Sequence, residues 1–251
     1  MRTFQNIAYG EVCLDKQRLD IYLPDCDTFS VLLYFHGGGL KGGDKASPSV
    51  MPFCQYLAEN GIAVVSANYR MYPDAKYPDF LEDAAEATAW VFRNMRNYGQ
   101  IQGIYVGGSS AGGYISQMLC FDKRWLGKQG LSAMDISGFI HDAGQPTCHF
   151  NVLRERGLDT KRVIVDESAP LFHVGEDEQY PKMLIIVSDD DMKNRYEQTN
   201  LLVSTLEHFG HKENVQLIEA KGKHCAYIGQ FIDGFNVLGR WIQAFMSAVI
   251  L

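Results

Sequence analysis

Ile104-Tyr-Val-Gly-Gly-Ser-Ser-Ala-Gly-Gly-Tyr114 decides how this chain is read. An apolar run, Ile104 to Val106, stops at glycines. Gly108-x-Ser110-x-Gly112 follows, and the spacing predicts a helix over Tyr114 to Phe121. Strand, sharp turn and helix form the context of a nucleophile elbow, a strained turn that pushes a serine hydroxyl outward. Glycines two residues to either side are needed because side chains there would strike the neighbouring strand or helix. Ala111, at the new helix N-terminus, can offer its backbone N–H to an oxyanion. A second frame, Gly107-x-Ser109-x-Ala111, lacks the second glycine, so Ser110 is taken as the nucleophile.

Outward from this stretch, the chain reads as strands alternating with helices. Alternation in Ile7 to Val12 and Arg18 to Leu23 predicts an antiparallel hairpin at a sheet edge. Val31 to Phe35, Ile62 to Ser66, Ile136 to Ile140, Met183 to Val187 and Asn214 to Ile218 are apolar or alternating runs expected to be strands. Helices are expected over Ser49 to Asn60, from Pro78 to Gly99, over Arg195 to Phe209, and from Phe231 to Ile250. Such alternation implies a mostly parallel sheet covered on both faces. His141 to Leu171 is longer and less regular than an ordinary connection and reads as a small lid or cap on a single domain.

Composition narrows the function classes. The 251 residues are 46% apolar, enough for one domain with a substantial core. The net charge of -7, with no basic stripe, argues against nucleic acid and anionic membranes as partners. The first residues hold no apolar stretch of the kind found in secretory signals, and no run spans a membrane. Six scattered cysteines, with no Cys-x-x-Cys, suit free buried thiols in a reducing cytoplasm, so cytoplasmic location is the expectation. No metal or organic cofactor is implied, since no His/Cys cluster at zinc spacing exists. Gly37-x-Gly39-x-x-Gly42 matches the dinucleotide fingerprint, yet it opens into Gly43-Asp-Lys-Ala-Ser-Pro48 rather than a helix.

A serine nucleophile needs a base within hydrogen-bond reach. His224, just beyond the last strand, fits best. His36 belongs to the glycine loop and is expected to hold its shape. His208 and His211 flank Gly210 at a helix end and read as a solvated cap, and His141, His149 and His173 fall in or near the lid. The acid that orients the base must come from Asp189, Asp190 or Asp191. The Gly38 and Gly39 N–H groups, with that of Ala111, are the expected oxyanion hole.

His36-Gly-Gly-Gly39, Gly108-x-Ser110-x-Gly112, then an acid, then a histidine, together resemble the α/β-hydrolase fold in the family's Ser…Asp…His order. More narrowly they resemble small esterases of the hormone-sensitive-lipase-like and acetyl-xylan or feruloyl esterase-like groups. The resemblance runs from about Leu19 to the C-terminal helix. It implies Asp191 as the acid, three residues past Ser188, which stands where the family usually has glycine. It implies a serine carboxylesterase acting on a small-molecule ester through an acyl-enzyme. The short insertion carries Gln145, Asn151, Arg154, Glu155, Arg156 and Asp159, which argues for short acyl groups and acylated carbohydrates. Rival readings are an aryl-formamidase or small serine peptidase on the same triad, or a non-catalytic binding protein on a hydrolase scaffold. The sequence leaves room for a homodimer.

Overall fold

The computed structural model describes residues 1–10 and 16–250. In chain order, β1 (Arg2–Ala8) pairs antiparallel with β2 (Arg18–Leu23). The hairpin's first strand thus begins five residues earlier than its alternation predicts, and Val12 lies outside the described residues. Then come β3 (Thr28–Phe35), α1 (Val50–Glu59), β4 (Ile62–Ala67), α2 (Asp79–Asn94), β5 (Gln100–Ser109) and α3 (Ala111–Phe121). A short α4 (Lys123–Gly127), β6 (Gly138–Asp142) and α5 (Phe150–Glu155) follow. The chain ends through β7 (Met183–Asp190), α6 (Arg195–His208), β8 (Val215–Lys223), a small ribbon of β9 (Phe231–Ile232) and β10 (Phe235–Asn236), and α7 (Val237–Ile250).

The eight-stranded sheet has the order β1-β2-β4-β3-β5-β6-β7-β8. β2 is antiparallel to β4, and from β4 to β8 every pair is parallel. This is the α/β-hydrolase fold. The parallel strands are apolar on both faces because helices cover both. Val31, Leu33 and Phe35 of β3 join one core with Leu81 and Ala84 of α2 and Met118 of α3. Leu32 and Tyr34, pointing the other way, join a second core with Phe53 of α1 and Ile242 of α7. Each fully buried leucine or phenylalanine contributes about 1.5–3 kcal/mol, so the continuous apolar runs are what hold the layers together.

Several boundaries differ from expectation for local reasons. His141 and Asp142 belong to β6, so the irregular insertion starts only at Ala143. The stretch 231–236 is a ribbon rather than the start of the last helix, because Asp233 and Gly234 both take positive φ and turn the chain back. β8 runs on past the expected Asn214 to Ile218, through Lys221 to Lys223 alongside Ser188 and Asp190. Among the cysteines, Cys54, Cys120 and Cys148 are buried and free. Cys26 is free but exposed, Cys225 is half-buried, and Cys13 lies outside the described residues. No helix among the described residues is long and apolar enough to cross a membrane.

Candidate active site

Five neighbouring parallel strands deliver their carboxyl ends to one place. β3 leads into His36-Gly-Gly-Gly39, β5 into Ser110, β6 ends at Asp142, β7 leads to Asp191 and β8 to His224. In an open α/β sheet this edge is where ligands bind.

Ser110 sits between β5 and α3 with φ 57° and ψ -109°, a conformation costly for a residue with a side chain. The surrounding structure over-determines it. A Cβ on Gly112 would lie 1.9 Å from the Phe35 carbonyl oxygen, and one on Gly108 would lie 2.6 Å from the same atom. Only glycines let the turn press against β3. The Ser110 N–H donates to the Asp142 carbonyl at 2.8 Å, and its carbonyl accepts from the Tyr114 N–H at 2.9 Å. Ser109, the alternative frame, is fully buried, whereas Ser110 is half-exposed.

His224 Nε2 is 2.9 Å from Ser110 Oγ, and His224 Nδ1 is 2.6 Å from Asp191 Oδ1. With Nδ1–H donated to the carboxylate, Nε2 is free to accept from the serine. The Asp191 side chain is 1% exposed and also accepts from the backbone N–H groups of Met192 and Ser188. Burial pushes its carboxyl up, but these bonds and the histidine outweigh burial and hold it below the usual aspartate range. It is therefore an anion at neutral pH. Asp189 is spent on Lys221 and the Gly222 N–H, and Asp190 on Lys223, all at the surface.

The glycine loop abuts the serine, since a Cβ on Gly37 would lie 3.3 Å from Ser110 Cβ. Gly38 has φ 118°, and a Cβ there would lie 2.0 Å from the Gly42 carbonyl oxygen. Among the described residues the Gly38 and Gly39 N–H groups have no protein acceptor. Ala111 opens α3, so its N–H is one of the unpaired donors of a helix start. His36 is held inside this loop. Its ring stacks on Tyr69 with centroids 4.7 Å apart, Nδ1 donates to the Gly37 carbonyl at 2.7 Å, and burial lowers its basicity. Tyr69 in turn donates its hydroxyl to the His36 carbonyl at 2.8 Å.

Asn151 of α5 was not singled out for this role from sequence. It is buried, and its side-chain amide donates to the Gly39 carbonyl, so the insertion clamps the loop from outside. Gln145 is likewise consumed internally, bonding Thr147 and the Cys148 carbonyl. Of the six polar residues named in the insertion, Gln145 and Asn151 are thus engaged internally, and Arg154, Glu155 and Arg156 pair with Asn151, Tyr72 and Asp166. The remaining histidines lie elsewhere. His141, His149 and His173 are buried, and His208 is exposed at the end of α6. His211 is buried against Tyr180 rather than solvated, with rings 4.7 Å apart.

The chain matches the BD-FAE family over residues 19–152, more than half its length. It is 41% identical over 106 residues to the esterase LipI of Mycobacterium tuberculosis, a match covering 41% of this chain and 32% of that protein. The chain thus spans about a third of the length of that curated relative. Esterase B from Lactobacillus rhamnosis superposes with a TM-score of 0.80 at 16% identity, covering 99% of this chain and 86% of the other. A truncated carbohydrate esterase from gut microbiota superposes with a TM-score of 0.76 at 19% identity, covering 98% and 97%.

Proposed function

This chain belongs to the BD-FAE family, and we propose that it is a serine carboxylesterase. The observation that carries the reading is the unbroken relay from Ser110 through His224 to Asp191. His224 takes the Ser110 proton as Oγ attacks the ester carbonyl. Asp191 holds the imidazole in the tautomer that can accept and stabilises its charged form. The tetrahedral oxyanion rests on the N–H groups of Gly38, Gly39 and Ala111, which need no reorganisation because the loop is locked by Tyr69 and Asn151. His224 then protonates the departing alcohol, and water, activated the same way, releases the acid from the acyl-enzyme.

The substrate we propose is a short-chain acyl ester, with acetylated or feruloylated carbohydrates as the natural class. A groove of about 270 Å³ beside the oxyanion loop supports this reading. Lys41, Lys76, Arg154 and Glu155 line it together with Tyr72, Pro73 and Ala75, most of its exposed surface is apolar, and the Tyr72 hydroxyl donates to Glu155 at 2.5 Å. A small groove with a largely apolar wall and a few charged groups suits a short ester with a polar leaving group. The name of the carbohydrate esterase with the same fold points the same way. The test is kcat/KM for acetate to palmitate esters, acetylated sugars and a formamide. A maximum at acetate to butyrate with turnover of an acetylated sugar supports the reading. A steady rise beyond octanoate, or inactivity on every acylated sugar, overturns the substrate assignment.

A further inference from the structure

Asp142 is a fully buried carboxylate that the relay above does not use, and it touches both halves of that relay. Its backbone carbonyl accepts the Ser110 N–H. One carboxylate oxygen accepts from the Ser109 hydroxyl, on the residue before the nucleophile. The other accepts from the Tyr227 hydroxyl, three residues after His224. Tyr34 of β3 donates to Ser109 Oγ at 2.7 Å and completes the chain. We propose that Asp142 is a positioning residue, a buried anion that ties the serine turn to the histidine loop and supports the imidazolium formed during turnover. This rests on the esterase reading and deepens it.

The proton count favours the ionised form. Ser109 has one proton and accepts the one from Tyr34, so its own must go to Asp142. Tyr227 also donates to Asp142. A carboxylate satisfies both donors, whereas a carboxylic acid would add a fourth proton to three hydrogen bonds that Tyr34, Ser109 and Tyr227 already supply. Facing this carboxylate are Ser109 from β5, Tyr34 from β3, and His224, Cys225 and Tyr227 from the histidine loop. Asp191 lies at the end of β7, and the buried Arg195 of α6 donates to the carbonyl of Ala143, the next residue. Burial pushes the Asp142 carboxyl up against the pull of the bonds from Ser109 and Tyr227 and the nearby His224, and the balance leaves it at about 6. Asp142 is therefore charged at neutral pH and loses its charge in the range where a histidine-dependent esterase loses activity. The role also explains why Ser109, the second serine of the elbow, is buried with its hydroxyl fully engaged.

The experiment is the pH profile of kcat/KM for an acetyl ester, followed by pH-stat, in the wild type, Asp142→Asn and Tyr227→Phe. Asp142→Asn removes the buried anion near His224, so the acid limb should move to lower pH by about half a unit or more, with kcat about tenfold lower. Tyr227→Phe keeps the carboxylate but removes one of its donors, so Asp142 protonates at higher pH and the limb should move upward. A group that only fills space moves neither limb, and a hydrogen-bonding role without charge moves both in one direction. If Asp142→Asn does not fold, the upward shift in Tyr227→Phe decides alone. Unmoved limbs in variants whose hydrolysis still depends on Ser110 overturn the positioning role and leave the esterase reading standing. Absence of Ser110-dependent hydrolysis in the wild type overturns both.

Discussion

Asp191 Oδ1 lies 2.6 Å from His224 Nδ1, while its two neighbours in the Asp189-Asp190-Asp191 run point to lysines on the protein surface. Three identical side chains in a row are separated in their contacts by the end of β7. Asp189 and Asp190 still follow the strand beside β8, and Asp191 leaves it and turns inward. Asp191→Asn is therefore expected to lower kcat by about 10⁴, the cost of losing control of the histidine tautomer. Asp189→Asn and Asp190→Asn are expected to stay within a few-fold of wild type. A large loss at either of those, with Asp191→Asn active, would move the acid.

The clamp on the oxyanion loop makes a second prediction. Asn151→Ala removes the amide that holds the Gly39 carbonyl but touches no reacting atom. It is expected to lower kcat about tenfold, less than the 10²–10³ typical of losing a direct oxyanion donor, with KM little changed. Steady-state kinetics on one acetyl ester distinguish this from a binding effect. A raised KM with unchanged kcat would assign Asn151 to substrate binding instead.

Acid stability supplies a third. His141 is buried in β6, with Nδ1 2.9 Å from Ser116 Oγ, and burial lowers its pKa to about 3. Its folded pKa lies below its unfolded one. The stability it contributes is therefore fully present above the unfolded value and is lost as pH falls toward about 3, because the unfolded chain binds the proton first. Between pH 7 and pH 4.5 the loss amounts to about 3 kcal/mol. Urea unfolding of His141→Gln at both pH values should show the pH-dependent drop reduced by about that amount. An unchanged drop would mean that other groups carry the acid sensitivity.

The sheet and the relay were legible because their signals are local. Val31 to Phe35 and Met183 to Val187 are short runs apolar on consecutive residues, the pattern of a strand covered on both faces. Gly108-x-Ser110-x-Gly112 announces a turn that side chains would block. What escaped reading depends on contacts between distant segments. Asp142 faces Ser109 because β6 lies next to β5 with those two residues in register, and sheet order is not written in any one stretch. Asn151 reaches Gly39 across 112 residues of sequence. The ribbon at 231–236 was a different failure. The Asp233-Gly234 turn signal was present, but Phe231, Ile232 and Phe235 also fit the apolar face of a helix.

The account turns on Ser110 being a nucleophile activated by His224, and covalent trapping tests that most directly. The protein is treated with an aryl alkylphosphonate, and the adduct is located by intact mass and peptide mapping in the wild type, Ser110→Ala and His224→Ala. One adduct per chain, on Ser110, is expected in the wild type. It should be absent in Ser110→Ala and slowed by several powers of ten in His224→Ala, because the triad members act as a unit. An adduct on another residue, or labelling of Ser110 at the same rate without His224, would contradict the account.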